Sequence, residues 1–322
     1  MDEAADADDR TTRPLTRRRL IVGGAITGAA ALAASSTAQA LADEISGGAR
    51  ATASPRRVRA PDRLPPGSYE PGTLYVALYG SPGSTQLGAL GEQSVEATVA
   101  RARAVAAGYN DLGRPVVPTF EIIGSVASAF PGADGDYSNE FPASKFLPLI
   151  EAASDNAFHV VVDLQSGRSP FFEQILEYEE VLSFPHVSVA LDPEWRFDAP
   201  GIPGGGRVGT VDAVEVNRTI AWLDDLVTRK RLPTKLVVLH QFTPSMVTNK
   251  AQIRSTLNCQ VMMHMDGFGS LPLKRGSWGR MVDDLPPGAL TGWKNFYDED
   301  NPTPTPEETL DNEPRPMFVS YQ

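Results

Sequence analysis

Two carboxylates, Asp192 and Glu194, stand two positions apart at the end of an apolar run, VSVALDPEW. Residues i and i+2 of a strand point to the same side, and at ~3.3 Å per residue their Cα atoms lie about 6.6 Å apart. Glycoside hydrolysis uses a carboxylate pair separated by about 5 to 9.5 Å. Crowding of like charges raises the pKa of one member, so that it can keep a proton near neutral pH. Asp163, ending another apolar run (FHVVVDLQSG), and Glu121 in VVPTFEII are further carboxylates in the same kind of position. Carboxylate acid/base work of this kind needs neither cofactor nor metal.

The same polar ending recurs along the chain. Gln165 follows Asp163, His240 and Gln241 end KLVVLHQF, and His264 and Asp266 end QVMMHMDGFG. Lys294, Tyr297 and Asp298 follow Trp293 in GWKNFYDED, and Tyr321 ends PMFVSYQ. Packing alone does not put polar residues at the same phase of run after run. Tyr79, Trp195, Trp293, Tyr297 and Tyr321 add aromatic surface, which suits a sugar ring whose C–H faces stack while its hydroxyls hydrogen-bond. Arg196 is expected to bind substrate or brace the loop. His240 and His264 also allow a different chemistry: imidazoles and carboxylates at strand ends suit Zn²⁺ or a similar metal. A carbohydrate-binding barrel without catalysis would keep the aromatic residues and need no acid pair.

These endings must be carried by regular elements. Eight apolar strand-like runs begin at Thr73, Val116, Phe158, Val187, Lys235, Gln260, Gly288 and Pro316. Helical spacing of apolar residues separates most of them, as in Ser94–Ala107, 146–154, 170–182 and 211–227. Thr248–Leu257 reads as a short helix, and the last two connections are Pro-rich and poorly helical. The pattern predicts an α/β fold with a parallel sheet and helices outside, and eight strands close a (β/α)8 TIM barrel. Its last strand, PMFVSYQ, is expected to close beside TLYVALYG with no outer helix after it. The alternative is an open doubly wound sheet. However, Gly80-Ser81-Pro82-Gly83-Ser84 matches neither phosphate-binding glycine pattern after the first strand.

The strand-four LDPEW segment resembles the Asp-x-Glu signature of barrel muramidases and, more loosely, the acidic motif of chitinase-type barrels. That resemblance implies a glycoside-hydrolase-like barrel with Glu194 as general acid and Asp192 as its electrostatic partner. It is confined to strand four, since TLYVALYG has no counterpart of the muramidases' first-strand Asp. The blocks FEII, VVDLQSGR, LDPEWR, HMDG, GWKNFYDED and VSYQ also resemble a group of secreted actinobacterial proteins, and that resemblance brings no activity with it.

Outside the barrel region, residues 1–40 read as a signal peptide. Thr16-Arg17-Arg18-Arg19-Leu20-Ile21 precedes a Gly-containing apolar stretch too short to span a bilayer, and Ala38-Gln39-Ala40 offers a cleavage site. The arginine run resembles a twin-arginine export signal, so a secreted or cell-envelope location is expected. Residues 41–72 are rich in Pro, Gly and Arg and read as a flexible linker, leaving 73–322 as the barrel domain. Removing the signal leaves the formal charge at −11. An acidic chain argues against a nucleic-acid partner, and nothing points to an integral membrane partner. The expected partner is a carbohydrate or cell-wall glycan. Cys259, the single cysteine, excludes an intrachain disulfide and reads as a small buried hydrophobe.

Replacing Arg17, Arg18 and Arg19 together by Lys is expected to leave the precursor in the cytoplasm, because the export receptor reads guanidinium groups. Cell fractionation checks this, and normal secretion of the triple variant would contradict the twin-arginine route.

Overall fold

The structure is a computed structural model and describes residues 64–203 and 205–322. The expected signal peptide and most of the expected linker lie outside the described residues. Eight strands form a closed, all-parallel barrel in chain order: β1 (Leu74–Gly80), β2 (Val116–Ile123), β3 (His159–Leu164), β4 (Val187–Leu191), β5 (Lys235–Gln241), β6 (Cys259–Met265), β7 (Leu290–Asn295) and β8 (Phe318–Tyr321). β8 pairs with both β7 and β1, with Leu78 opposite Tyr321. This is the TIM-barrel fold expected from the eight apolar runs.

Alternation along each strand sorts the side chains. Tyr75, Ala77, Val161, Ala190, Leu236, Val238, Met262 and Phe318 pack together inside the barrel. Their neighbours one position away, such as Leu74, Val160, Val189, Val237 and Val261, pack outward into the larger core beneath the helices. The β-branched residues that fill both faces are those that favour buried parallel strands.

The helices are α1 (Val95–Ala107), α2 (Leu147–Asp155), α3 (Phe171–Glu177), α4 (Glu179–Leu182), α5 (Ala213–Lys230), α6 (Leu271–Val282) and α7 (Pro306–Leu310). α5 buries Val216, Ile220, Leu223 and Val227, one helical stripe. The Asp212 carboxylate accepts from the Val214 amide at its start, and Arg231 ends it at φ 54°. Residues 170–182 split at Tyr178, whose hydroxyl donates to the Gly124 carbonyl (2.7 Å).

Two expectations are corrected. Thr248–Leu257 holds no α-helix: Thr248 ends a two-residue strand paired with Val211–Asp212, and Lys250–Gln252 form a 3-10 turn. The segment is tied down by polar contacts, with the Lys250 ammonium donating to the Gln241 side chain and the Met281 carbonyl, rather than by an apolar stripe. Conversely, the sixth connection, read as poorly helical, carries the 12-residue α6. Gly276 and Gly279 dilute its propensity, but Lys274, Trp278 and Met281 form a buried face that holds it.

The described end of the expected linker packs against the barrel. Tyr69 is buried with its ring centroid 5.9 Å from Tyr75, and the Glu70 amide donates to the Tyr75 hydroxyl (2.6 Å). The Gly67 carbonyl accepts from His159 Nδ1 (2.8 Å). Residues 64–72 therefore cover the amino-terminal end of the barrel.

Deleting residues 316–322 removes the strand that joins β7 to β1. The expected outcome is loss of cooperative thermal unfolding, and a truncated chain that melts like the full one would contradict it.

Candidate active site

The carboxyl ends of the strands bring polar side chains into the barrel mouth at the positions that alternation turns inward. These are Tyr79, Glu121, Asp163, Asp192, His240, His264, Asp266, Lys294 and Ser320, all buried. The fourth strand reaches the site by a route other than the expected one. β4 stops at Leu191, and Pro193–Trp195 form a 3-10 turn capped by Asp192, whose Oδ1 accepts from the Glu194 amide (3.4 Å). Pro193 suits the first position of such a turn because its φ is preset. The two carboxylates thus converge by a turn and not by strand alternation, and the same turn delivers Trp195 to the pocket wall. Arg196 holds the turn from behind. Its Nε and Nη2 donate to the two Glu215 oxygens (3.0 and 3.2 Å), and Nη1 donates to the Phe197 carbonyl. It braces the loop and does not line the pocket.

His240 is the hub. Its Nε2 donates to Glu121 Oε1 (2.9 Å), while Nδ1 lies 3.2 Å from Asp266 Oδ2 and 3.8 Å from Asp192 Oδ2. Burial alone would discharge the ring, but the charges of Asp163, Asp266 and Glu121 raise its pKa well above the usual value and keep it an imidazolium. Burial would likewise raise Glu121, yet the His240 hydrogen bond and charge bring it down to about 2. His264, with ring centroid 5.1 Å from His240, is pushed by burial down to about 3 and stays neutral. Its Nε2 pairs with the Ser320 hydroxyl (2.9 Å). Gly292 is required beside it, since a Cβ there would lie 2.4 Å from His264 Nδ1.

Five carboxylates (Glu121, Asp163, Asp192, Glu194 and Asp266) are each no more than 2% exposed, against the two cations His240 and Lys294. Full ionisation of such a set is costly in a buried site. Burial, and then the Glu194 charge, raise the Asp192 pKa well above the carboxylate range. Burial also raises Asp163, although the His240 charge pulls the other way. Burial and the neighbouring Glu194 charge therefore favour the protonated form of Asp192.

Above the hub, the Tyr79 hydroxyl donates to Asp163 Oδ2 (2.8 Å) and accepts from Gln165 Nε2 (3.2 Å). The Lys294 ammonium lies 3.2 Å from the Tyr79 ring centroid. Tyr79, Gln165, Asp192, Glu194, Trp195 and Lys294 line a small pocket, with the exposed Gln86 and half-buried Gln322 at its edge. Gly80, at φ 150°, lets the loop carrying Gln86 and Leu87 fold back over β1, where a Cβ would lie 2.6 Å from the Leu87 carbonyl oxygen.

Several residues expected in the site lie elsewhere. Gln241 turns outward to Lys250. Trp293 packs on Trp278 beneath α6, with centroids 5.6 Å apart. The Tyr321 hydroxyl meets that of Tyr109 beneath α1 (2.6 Å), Tyr297 stacks on Tyr321, and Asp298 is exposed. Ser320, Gln86, Leu87, Ile123 and Gln322 were not expected there. Only Ser320 carried a signal, two positions from the inward Phe318. Cys259 is buried in the outer core with its thiol pushed by burial up to about 12, so it is not a nucleophile.

Three overlapping groups bring ligand atoms within 4.8 Å of one another: Glu121 with His240 and His264, Asp163 with Asp192 and His240, and Asp192 with Glu194 and Asp266. A cation in either group containing His240 would have to replace a proton of its imidazolium. No family model matches the chain, and no curated protein is similar to it. Fold and site together define a TIM-barrel protein with a buried, carboxylate-rich pocket at the carboxyl ends of its strands.

Asp192→Asn is expected to be at least as stable as wild type and to gain on it with rising pH. A raised folded-state pKa means that the folded chain binds more protons than the unfolded one above the ordinary Asp value, so wild-type stability falls as pH rises. The amide has no such loss. Melting curves near pH 8 should show a gain on the order of 1 kcal/mol, about 2–4 °C for a domain of this size. A variant that loses ground with rising pH would contradict the crowded-carboxylate account.

Proposed function

We propose that the chain is a secreted glycoside-hydrolase-like enzyme acting on a cell-wall or extracellular glycan. The observation that carries this reading is the buried Asp192–Glu194 carboxylate pair, with Asp192 pushed toward its protonated form, at the wall of a pocket that also presents Trp195, Tyr79 and the Gln165 amide. In this reading the pair's proton passes through Glu194 to the leaving glycosidic oxygen, and the Asp192 carboxylate left behind offsets the positive charge that develops on the sugar ring. A water adds to the anomeric carbon while its proton returns to the pair. Oxygens of the two carboxylates fall within 4.8 Å of each other. That spacing suits a pair sharing a proton better than the ~6.5–9.5 Å arrangement that holds a water between an acid and a base. The aromatic wall and amide groups supply the stacking and hydrogen bonding a sugar needs.

A second reading, a metal-dependent hydrolase, is favoured by the convergence of Asp163, Asp192 and His240. Metal content of the purified protein and activity after chelation separate the two. A binding module without catalysis would have no use for a destabilising buried acid pair.

Glu194→Gln is expected to lower turnover of a cleaved glycan ~10²- to 10⁴-fold while the protein stays folded and still binds that glycan. Full activity in the variant would overturn the assignment and move attention to Glu121 or Asp266.

A further inference from the structure

We infer that His240 Nδ1, with the carboxylates of Asp163, Asp192 and Asp266, forms a site for one divalent transition cation such as Zn²⁺ or Mn²⁺. The inference gives the second reading above its ligand atoms, and it stands whether or not the chain is a hydrolase. It starts from the two ring nitrogens of His240. Nε2 donates to Glu121 Oε1 (2.9 Å), which leaves Nδ1 to face the other carboxylates. Asp266 Oδ2 lies 3.2 Å from Nδ1 and Asp192 Oδ2 3.8 Å, yet neither makes a hydrogen bond of good geometry with it. Ligand atoms ~2.0–2.2 Å from one ion stand ~3.0–3.5 Å apart when adjacent and up to ~4.4 Å apart when opposed, so both separations fit a shared ion. Asp163 brings a ligand atom within 4.8 Å of those of Asp192 and His240. Its Oδ2 is fixed by the Tyr79 hydroxyl (2.8 Å), while its Oδ1 is buried with no hydrogen-bond partner.

The other histidines show the contrast. His159, His186 and His264 bond to carbonyl or hydroxyl groups, the partners of a packing imidazole. Of the four histidines, His240 alone hydrogen-bonds to a carboxylate. A carboxylate on one ring nitrogen fixes the ring and raises the basicity of the other nitrogen toward a metal. The four ligand side chains are each no more than 2% exposed, so packing holds them in place. The ion replaces the Nδ1 proton and adds one positive charge where buried carboxylates outnumber His240 and Lys294. A single ion needs no more room than a water, so the small size of the pocket that Asp192 lines is no obstacle. One imidazole among carboxylates suits Zn²⁺ or Mn²⁺ rather than a soft, thiolate-seeking ion, and Cys259 lies away in the outer core.

Untagged protein stripped with a chelator is titrated with Zn²⁺ and, separately, with Mn²⁺ by calorimetry, alongside Asp192→Asn and Asp134→Asn. Asp192→Asn is expected to be at least as stable as wild type, so it removes a ligand without removing the fold. Asp134 belongs to a separate group with Asp136 and Glu140 and controls for ordinary acidic surface. The expected result is one ion per chain for wild type and Asp134→Asn, with binding to Asp192→Asn weaker by about tenfold or more. Nitrogen NMR of histidine-labelled protein should show Zn²⁺ moving the Nδ1 signal of one ring. Failure of both ions to bind stoichiometrically, equal binding by Asp192→Asn, loss of binding in Asp134→Asn, or an unmoved Nδ1 signal would overturn the inference. An ion bound at this site without glycan cleavage by the loaded protein would leave the site standing and sink the hydrolase reading alone. Glycan cleavage by a chain that binds no ion would do the reverse.

Discussion

The imidazolium of His240, held between Glu121 and Asp266, is the interaction on which the carboxyl end of the barrel depends. Among the described residues, it and Lys294 are the cations set among the five buried carboxylates. Removing it would strand Glu121 as an uncompensated buried charge, a change that typically costs ~3–5 kcal/mol. The barrel makes the bracket possible. Glu121, His240 and Asp266 come from β2, β5 and just beyond β6, and only a closed sheet brings those strands to face one another across an interior. With the hub neutralised, the excess negative charge is left at Asp192 and Glu194, where burial and the Glu194 charge push Asp192 toward its protonated form.

The opposite end of the same barrel shows what buried polar groups look like when they serve packing. His159 is pushed by burial down to about 3, and its ring nitrogens bond to the Gly67 carbonyl and the Ser188 hydroxyl. Lys235 is pushed by burial down to about 7 and donates to the Phe184 and Val187 carbonyls. Both groups are moved toward neutrality and are tied to backbone, and Tyr69 closes over that end. At the carboxyl end the shifts run in opposing directions among neighbouring groups, Glu121 down and Asp192 up. Groups driven apart in this way are the pattern of an acid/base site.

Most of the barrel was legible because its strands are apolar on both faces, and the polar ring was legible because it recurs at strand ends. The side on which each residue falls was less so. A one-residue error of phase moves a side chain from the interior to the helical layer, which is why His240 and Lys294 enter the site while Gln241, Trp293 and Tyr321 do not. The turn at Pro193 replaced the expected strand extension but produced the same convergence, since a cap on Asp192 also folds Glu194 back toward it. Gln86 and Leu87 carried no signal, because a loop that closes over a pocket has no periodicity to read. α6 was obscured by two glycines whose cost is overridden by the burial of Lys274, Trp278 and Met281.

Retention of a proton by the Asp192–Glu194 pair is the centre of this account, and carboxyl-carbon NMR titration measures it directly. Wild type is followed alongside Asp192→Asn and Glu194→Gln, which assign the two signals. The account predicts that the pair still carries a proton near neutral pH, while Glu121 stays ionised well below the ordinary carboxylate range. Complete ionisation of both Asp192 and Glu194 by about pH 5, as for unperturbed carboxylates, would contradict it.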